Sequence, residues 1–103
     1  VNRNYMRSIP KEWRGMAQLF VALGDEHRQR ILLTFGRGER LTVGQIAEVS
    51  TLSRPAVSHH LKILRSAGVL AAEKVGKAVY LRVNKALLEQ TLASVLEYVR
   101  ANA

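Results

Sequence analysis

The chain has 103 residues, one domain's worth, with apolar and charged fractions typical of a folded soluble domain. It contains no cysteine, which excludes disulfide scaffolds, cysteine-based zinc fingers and cysteine catalysis, and it has no run near the roughly 18 apolar residues of a membrane span. Sixteen Lys and Arg against eight Asp and Glu give a net charge of +8, which points to a polyanionic partner.

The opening stretch, Val1 to Ile9, is polar and basic without a steady period and reads as a flexible arm. No secretory or transit segment is legible there, and a first residue of Val rather than Met leaves room for trimming. Pro10 sits where a helix can begin, and Trp13, Met16, Ala17, Phe20 and Leu23 recur at helical spacing, predicting a helix over 12–23. Asp25 is a natural N-cap for a second helix with the apolar stripe Ile31, Leu32 and Phe35, ended by Gly36-Arg37-Gly38. Leu41 is placed in a very short strand. Thr42-Val43-Gly44-Gln45 fits a capping box, so a short helix follows to about Val49. After a tight connection, a further helix runs from the Arg54-Pro55 pair to about Ala67, with Gly68 as its stop. Val69–Val75 and Ala78–Val83 then alternate at strand spacing around Gly76-Lys77, which suits a type II′ hairpin turn. Lys85 to Arg100 returns to a helical period. The order helix, helix, short strand, helix, helix, hairpin, helix describes a mainly α, single-domain winged helix-turn-helix over 1–103.

The helix beginning at Arg54 carries most of the information. At 100° per residue, Ile63, Ala56, Ala67, His60, Leu64, Val57 and Leu61 share one arc, which can bury against a core. Arg54, Arg65, Ser58, Lys62, Pro55, Ser66 and His59 share the other. Arg can donate twice to a guanine edge, Ser and His bond bases or phosphates, and Lys suits phosphates. The plainer alternative is a solvated face, but such faces usually mix Glu with Lys, and this helix has no acid. From Ser53 through Arg82 there are six basic residues and one acidic, a net of +5, while the rest of the chain carries ten and seven, a net of +3. Lys74 and Lys77 place part of that excess on the hairpin, whose tip can reach DNA beside the major groove.

His60 lies inside the apolar arc and reads as a buried or half-buried residue bonded to backbone. His59 points to the polar side. Adjacent histidines diverge by about 100° and do not make the i,i+4 pair that metal sites favour, and His27 stands alone, so no metal is expected. Arg28 tops the second helix's stripe and is assigned a structural role, snorkelling or pairing with Asp25 or Glu48. Trp13, Phe20 and Phe35 read as core residues. The last helix has a broad apolar arc, as does the first, and a domain this small has limited core to receive both. A twofold dimer is therefore expected through 12–23 and 85–100, with Trp13, Met16, Phe20, Leu88, Leu92, Val95, Leu96 and Val99 at the interface.

The run Leu52 to Leu70, centred on Ser58-His59-His60-Leu61-Lys62, resembles the recognition helix of ArsR/SmtB-type bacterial transcriptional regulators. Ala22 to Leu32 and the hairpin Glu73 to Val83 resemble the same family, so the likeness spans most of Leu19 to Asn84. It implies a homodimeric winged helix, usually a cytoplasmic repressor released from its operator by a signal. Metal-sensing members place cysteines near the first helix of the helix-turn-helix, where this chain has Thr42 and Gly44. Others use acids and histidines on the last helix, which here offers Glu89 and Glu97 without a histidine. The family's metal and thiol signals are thus not expected, and no cofactor is.

The leading reading is sequence-specific binding of double-stranded DNA at an inverted repeat. Arg54, Ser58 and His59 would read bases, with Pro55 at the same helix end; Ser53, Lys62 and Arg65 would hold phosphates, and Lys74 and Lys77 would contact DNA beside the groove. The partners are double-stranded DNA, a second copy of the chain and an effector of unidentified class, without a membrane. A protein-binding winged-helix dimerisation module is the alternative, and its face should be more acidic or apolar. An enzyme is not expected: Gly36-Arg37-Gly38 lacks the rest of a phosphate-binding loop, and no nucleophile–base set or carboxylate pair is legible.

Overall fold

The computed structural model describes all of residues 1–103. Five helices and a three-stranded antiparallel sheet follow one another: α1 Met16–Leu23, α2 Glu26–Thr34, β1 Arg40–Leu41, α3 Val43–Val49, α4 Arg54–Ser66, β2 Leu70–Val75, β3 Ala78–Val83 and α5 Lys85–Asn102. The sheet order is β1-β3-β2, so the hairpin's second strand lies in the middle. This is a winged helix-turn-helix, with α3 and α4 as the helical pair and β2–β3 as the wing.

Local chemistry sets most of the boundaries. The Asp25 carboxylate accepts the Arg28 amide at 3.1 Å and opens α2. Thr42 and Gln45 form both halves of the capping box on α3: the Thr42 hydroxyl accepts the Gln45 amide at 3.1 Å, and the Gln45 side chain accepts the Thr42 amide at 2.8 Å. Ser53 caps α4 by accepting the Ala56 amide, with Pro55 in the first turn where no amide is required. At the wing tip Gly76 has φ +60° and no other residue type has a positive φ, which fits a turn with glycine first.

The start of the first helix differs from the sequence expectation. Lys11–Trp13 form a single 3-10 turn, and α1 begins only at Met16. Gly15 lies between them at φ +80°, a left-handed conformation that ends one helical segment before the next begins. Trp13 therefore leaves the α1 stripe and instead meets Tyr98 of α5 edge-on, with ring centroids 5.6 Å apart. In the arm, Arg3–Met6 form another 3-10 turn, all of it exposed.

The core gathers one to three side chains from each of the first four helices, with others from the sheet. Leu19 and Ala22 come from α1, Ile31 from α2, Ile46 from α3, Val57, Leu61 and Leu64 from α4, and Leu70 and Leu81 from the sheet. The Val69 amide donates to the Leu64 carbonyl at 2.9 Å, so the wing starts directly from the end of α4. α5 is the exception: Thr91 is its one buried residue, and only Leu87 and Leu88 pack onto the core. The Cα radius of gyration is 16.0 Å, above the roughly 13 Å of a compact domain this size.

Thr42→Ala should remove half of the capping box at a cost of about 1 kcal/mol, lowering the thermal midpoint by roughly 4–8 °C. Circular dichroism melting checks this, and an unchanged midpoint would mean the box adds nothing.

Candidate nucleic-acid interface

The division of α4 matches its wheel. Val57, Leu61 and Leu64 are fully buried, and Ala56, His60 and Ile63 are half-buried. Arg54, Pro55, Ser58, His59, Lys62, Arg65 and Ser66 are all exposed on the opposite side, as is the cap Ser53. Ser58, Lys62, Arg65 and Ser66 line one open groove of about 580 Å³ between α4 and the sheet, closed by Val43, Leu61 and Leu81. The groove thus joins three of the expected contacts, and Val43 and Ser66 extend it beyond the residues expected from sequence. Arg54 sits at the other end of the helix. Its guanidinium lies over the first turn of α3, with both terminal nitrogens 4.0 Å from where a Cβ on Gly44 would stand.

The wing register gives Lys74 a side. Lys74 pairs with Val79, Ala72 with Leu81 and Leu70 with Val83, so these residues share the sheet face that carries the buried Leu70 and Leu81. Lys74 therefore stands on the face that packs on α4, further out along the wing, and Lys77 occupies the turn. Glu73, the wing's one acid, is on the other face with Tyr80 and Arg82. There it lies 3.8 Å from Arg40 of β1, whose guanidinium stacks 4.6 Å from the Tyr80 ring centre. The wing's single negative charge is thus turned away from the α4 side and met by a cation. The sequence held no signal for the Arg40 pairing, because Arg40 and Glu73 are brought together only by β1 joining β3.

His60 requires a correction. Its Nδ1 lies 3.3 Å from Nη1 of Arg28, so its partner is a side chain on α2 rather than backbone. Arg28 in turn donates to the carbonyls of Ala22 at 2.7 Å and Val21 at 3.2 Å, and stands 4.0 Å from Asp25. Of the two acids expected near it, Asp25 is adjacent, but the main partners are α1 carbonyls. Burial pushes the His60 pKa down. Arg28 and the rings of His27 and His59 act in the same direction, with Asp25 opposing them. A neutral ring accepting at Nδ1 carries its proton on Nε2.

Of the residues expected at a dimer face, Met16 is buried within its own chain, and Trp13, Leu88 and Val95 are half-buried. Phe20, expected in the core, is exposed instead, because the α1 face toward the core is already filled by Met16, Leu19 and Ala22. Phe35 is half-buried against the core. Leu92, Leu96 and Val99, spaced i, i+4, i+7 on α5, are 50%, 47% and 47% exposed.

The family model described as bacterial regulatory protein, arsR family, matches residues 25–72. The transcriptional repressor SdpR of Bacillus subtilis (strain 168) is 33% identical over 84 residues, covering 82% of this chain and 92% of that protein. An ArsR-like transcriptional regulator from Rhodococcus sp. RHA1 has a similar structure at a TM-score of 0.76 and 32% identity, covering 86% of this chain and 82% of that one. The homodimeric winged helix-turn-helix DNA-binding domain Mb0332 from Mycobacterium bovis shares the fold at a TM-score of 0.67 and 17% identity, covering 99% and 89%.

Folding stability should respond to acid through two groups. His60 binds a proton more weakly folded than unfolded, so its contribution is complete above the ordinary imidazole value of about 6.5 and is lost as pH falls through the folded value. Asp25 is held below the ordinary carboxylate range, first by the Arg28 amide, and its contribution is lost only at lower pH. Urea denaturation at stepped pH should show stability declining from about pH 7 to pH 5, before the carboxylates titrate; a flat profile there contradicts the role given to His60.

Proposed function

The chain belongs to the arsR family of bacterial regulatory proteins and is a DNA-binding transcriptional regulator, and on that footing we propose that it acts as a homodimeric repressor reading an inverted-repeat operator. The observation that carries the DNA docking is the outer face of α4: it is exposed along its length, holds three cations and no acid, and shares its side of the molecule with Lys74. A duplex major groove admits an α-helix, and a wing beside it reaches the flanking backbone or minor groove.

Arg54, Ser58 and His59 read bases from the first turns of α4, with Pro55 shaping that end. Ser53, Lys62 and Arg65 hold phosphates, the latter two along the groove floor. Lys74 and Lys77 meet the backbone beside it. The repressor assignment follows the similarity to SdpR, a transcriptional repressor over 92% of whose length this chain aligns.

Dimerisation is supported by α5. An 18-residue helix with one buried residue keeps a row of apolar side chains in water unless a second surface covers it. Leu92, Leu96 and Val99, with Phe20 of α1 and the half-buried Trp13, Leu88 and Val95, supply that surface. Met16, already buried, adds to it only through the backbone it anchors. A twofold axis there sets two copies of α4 about 34 Å apart, one turn of DNA.

Three outcomes are expected. Arg54→Ala should cost about 1–3 kcal/mol and relax base preference in a gel-shift series; unchanged affinity and preference would place α4 wrongly. Lys77→Ala should weaken binding evenly across sequences and reduce the salt slope by about one, whereas binding that ignores salt would instead fit a protein-binding module. Sedimentation at micromolar concentration should give twice the 11.5 kDa of one chain, and Leu96→Glu should halve it; a strictly monomeric wild type rules the dimer out.

A further inference from the structure

Resting on the DNA-binding reading, we propose that Arg28 is a positioning residue for recognition. Its guanidinium fixes the angle of α4 against the end of α1 by holding the His60 ring and two α1 carbonyls in one fork.

The geometry is that of a planar donor set used in several directions at once. Nε donates to the Ala22 carbonyl at 2.7 Å, Nη2 to the Val21 carbonyl at 3.2 Å, and Nη1 faces His60 Nδ1 at 3.3 Å. The side chain is only 12% exposed, and its nearest carboxylate oxygen, on Asp25, stands 4.0 Å away. A cation so placed is held mainly by neutral acceptors: the two carbonyls lie in the last turn of α1, where the helix dipole is negative, and the Val21 carbonyl also accepts the Gly24 amide at 3.2 Å. Lysine could supply the charge there but not the fork.

Those acceptors belong to elements with different tasks. α1 carries Phe20 of the exposed apolar face, and α4 carries the DNA-facing residues, with His60 directly following His59. Leu19 and Ala22 of α1 and Val57, Leu61 and Leu64 of α4 share the core, but apolar burial is non-directional. The hydrogen bonds through Arg28 are directional. In a dimer, a tilt at one copy of α4 displaces Arg54 and Ser58 from the positions that both half-sites require.

The fork depends on a neutral His60, because a ring protonated at both nitrogens has no acceptor for Arg28. The groups that face His60 are Arg28, the His27 ring with its centroid at 5.7 Å and Asp25 from α2 and its cap, and the His59 ring at 5.7 Å on α4 itself. α1, Met16–Leu23, contributes no titratable side chain. Acid therefore opens the link from the His60 side. The ratio of specific to generic affinity is the quantity to follow.

The experiment compares a duplex enriched by the wild-type chain from a random pool with a scrambled duplex. Arg28→Lys should keep its generic affinity and salt slope while the specific-to-generic ratio falls roughly tenfold, within the range for partners in one hydrogen-bond network. His60→Gln, whose amide oxygen still accepts and does not titrate, should keep the ratio at pH 7. The wild-type ratio should fall toward about pH 5.5, and that of His60→Gln should not. An Arg28→Lys ratio equal to wild type, or a His60→Gln pH profile equal to wild type, overturns the proposal. If Arg28→Lys does not fold, the His60→Gln profile decides. Wild-type binding without preference for any duplex would bring down the DNA-reading itself, a result distinct from either variant outcome.

Discussion

One helix has to satisfy two environments, and the rest of the molecule is arranged around that requirement. Val57, Leu61 and Leu64 of α4 are within 2% of complete burial. At about 1.5–3 kcal/mol per side chain removed from water, the three contribute roughly 5–9 kcal/mol as an upper estimate. That is comparable with the entire net stability of a small domain, about 5–15 kcal/mol. α4 therefore cannot roll about its axis without unfolding its surroundings, and the acid-free face is held outward by the burial of the other. The sheet reinforces this by continuing straight from the end of α4 and by turning Lys74 to the same side.

Burial fixes the roll of α4, and a group of half-buried polar contacts bears on its tilt. Arg28 joins the end of α1, the cap of α2 and His60 of α4 within one side chain's reach. The same group that bonds two carbonyls at the end of α1 also bonds α4 through His60. In the proposed reading, folding and recognition share this contact, which makes both sensitive to the charge on one imidazole. At the far side of the molecule, α5 is held by Leu87, Leu88 and Thr91 at its start and leaves its later apolar turns uncovered. The surfaces proposed for DNA and for a second copy thus fall on different elements, joined through α1 and Arg28.

What could be read from the sequence was what is decided locally. The capping box at Thr42, the Asp25 cap, the Gly76 turn and the two arcs of α4 each depend on residues a few positions apart, and each is present. The helix expected from Glu12 failed because periodicity continues through Gly15 while the backbone does not; the side chains on either side carry the right spacing in two separate segments. Phe20 was assigned inward because a short amphipathic helix offers more apolar positions than its core-facing side can use. The partner of His60 lies 32 residues away on another helix, and no local pattern encodes it. The exposed face of α4 was legible for a simpler reason: a helix face without acids is unusual enough to be seen in one dimension, whereas the side on which Lys74 falls needed the strand register.

The central claim is that the outer face of α4 and the tip of the wing are where the duplex sits. Amide hydrogen exchange, measured with and without a mixed-sequence duplex at low salt, addresses that claim residue by residue. Protection gained on Ser53 to Arg65 and on Lys74 to Lys77, with α5 from Leu92 to Val99 unchanged, is the result the account predicts. Protection confined to α5 or to the first fifteen residues, with α4 and the wing unaffected, would contradict it.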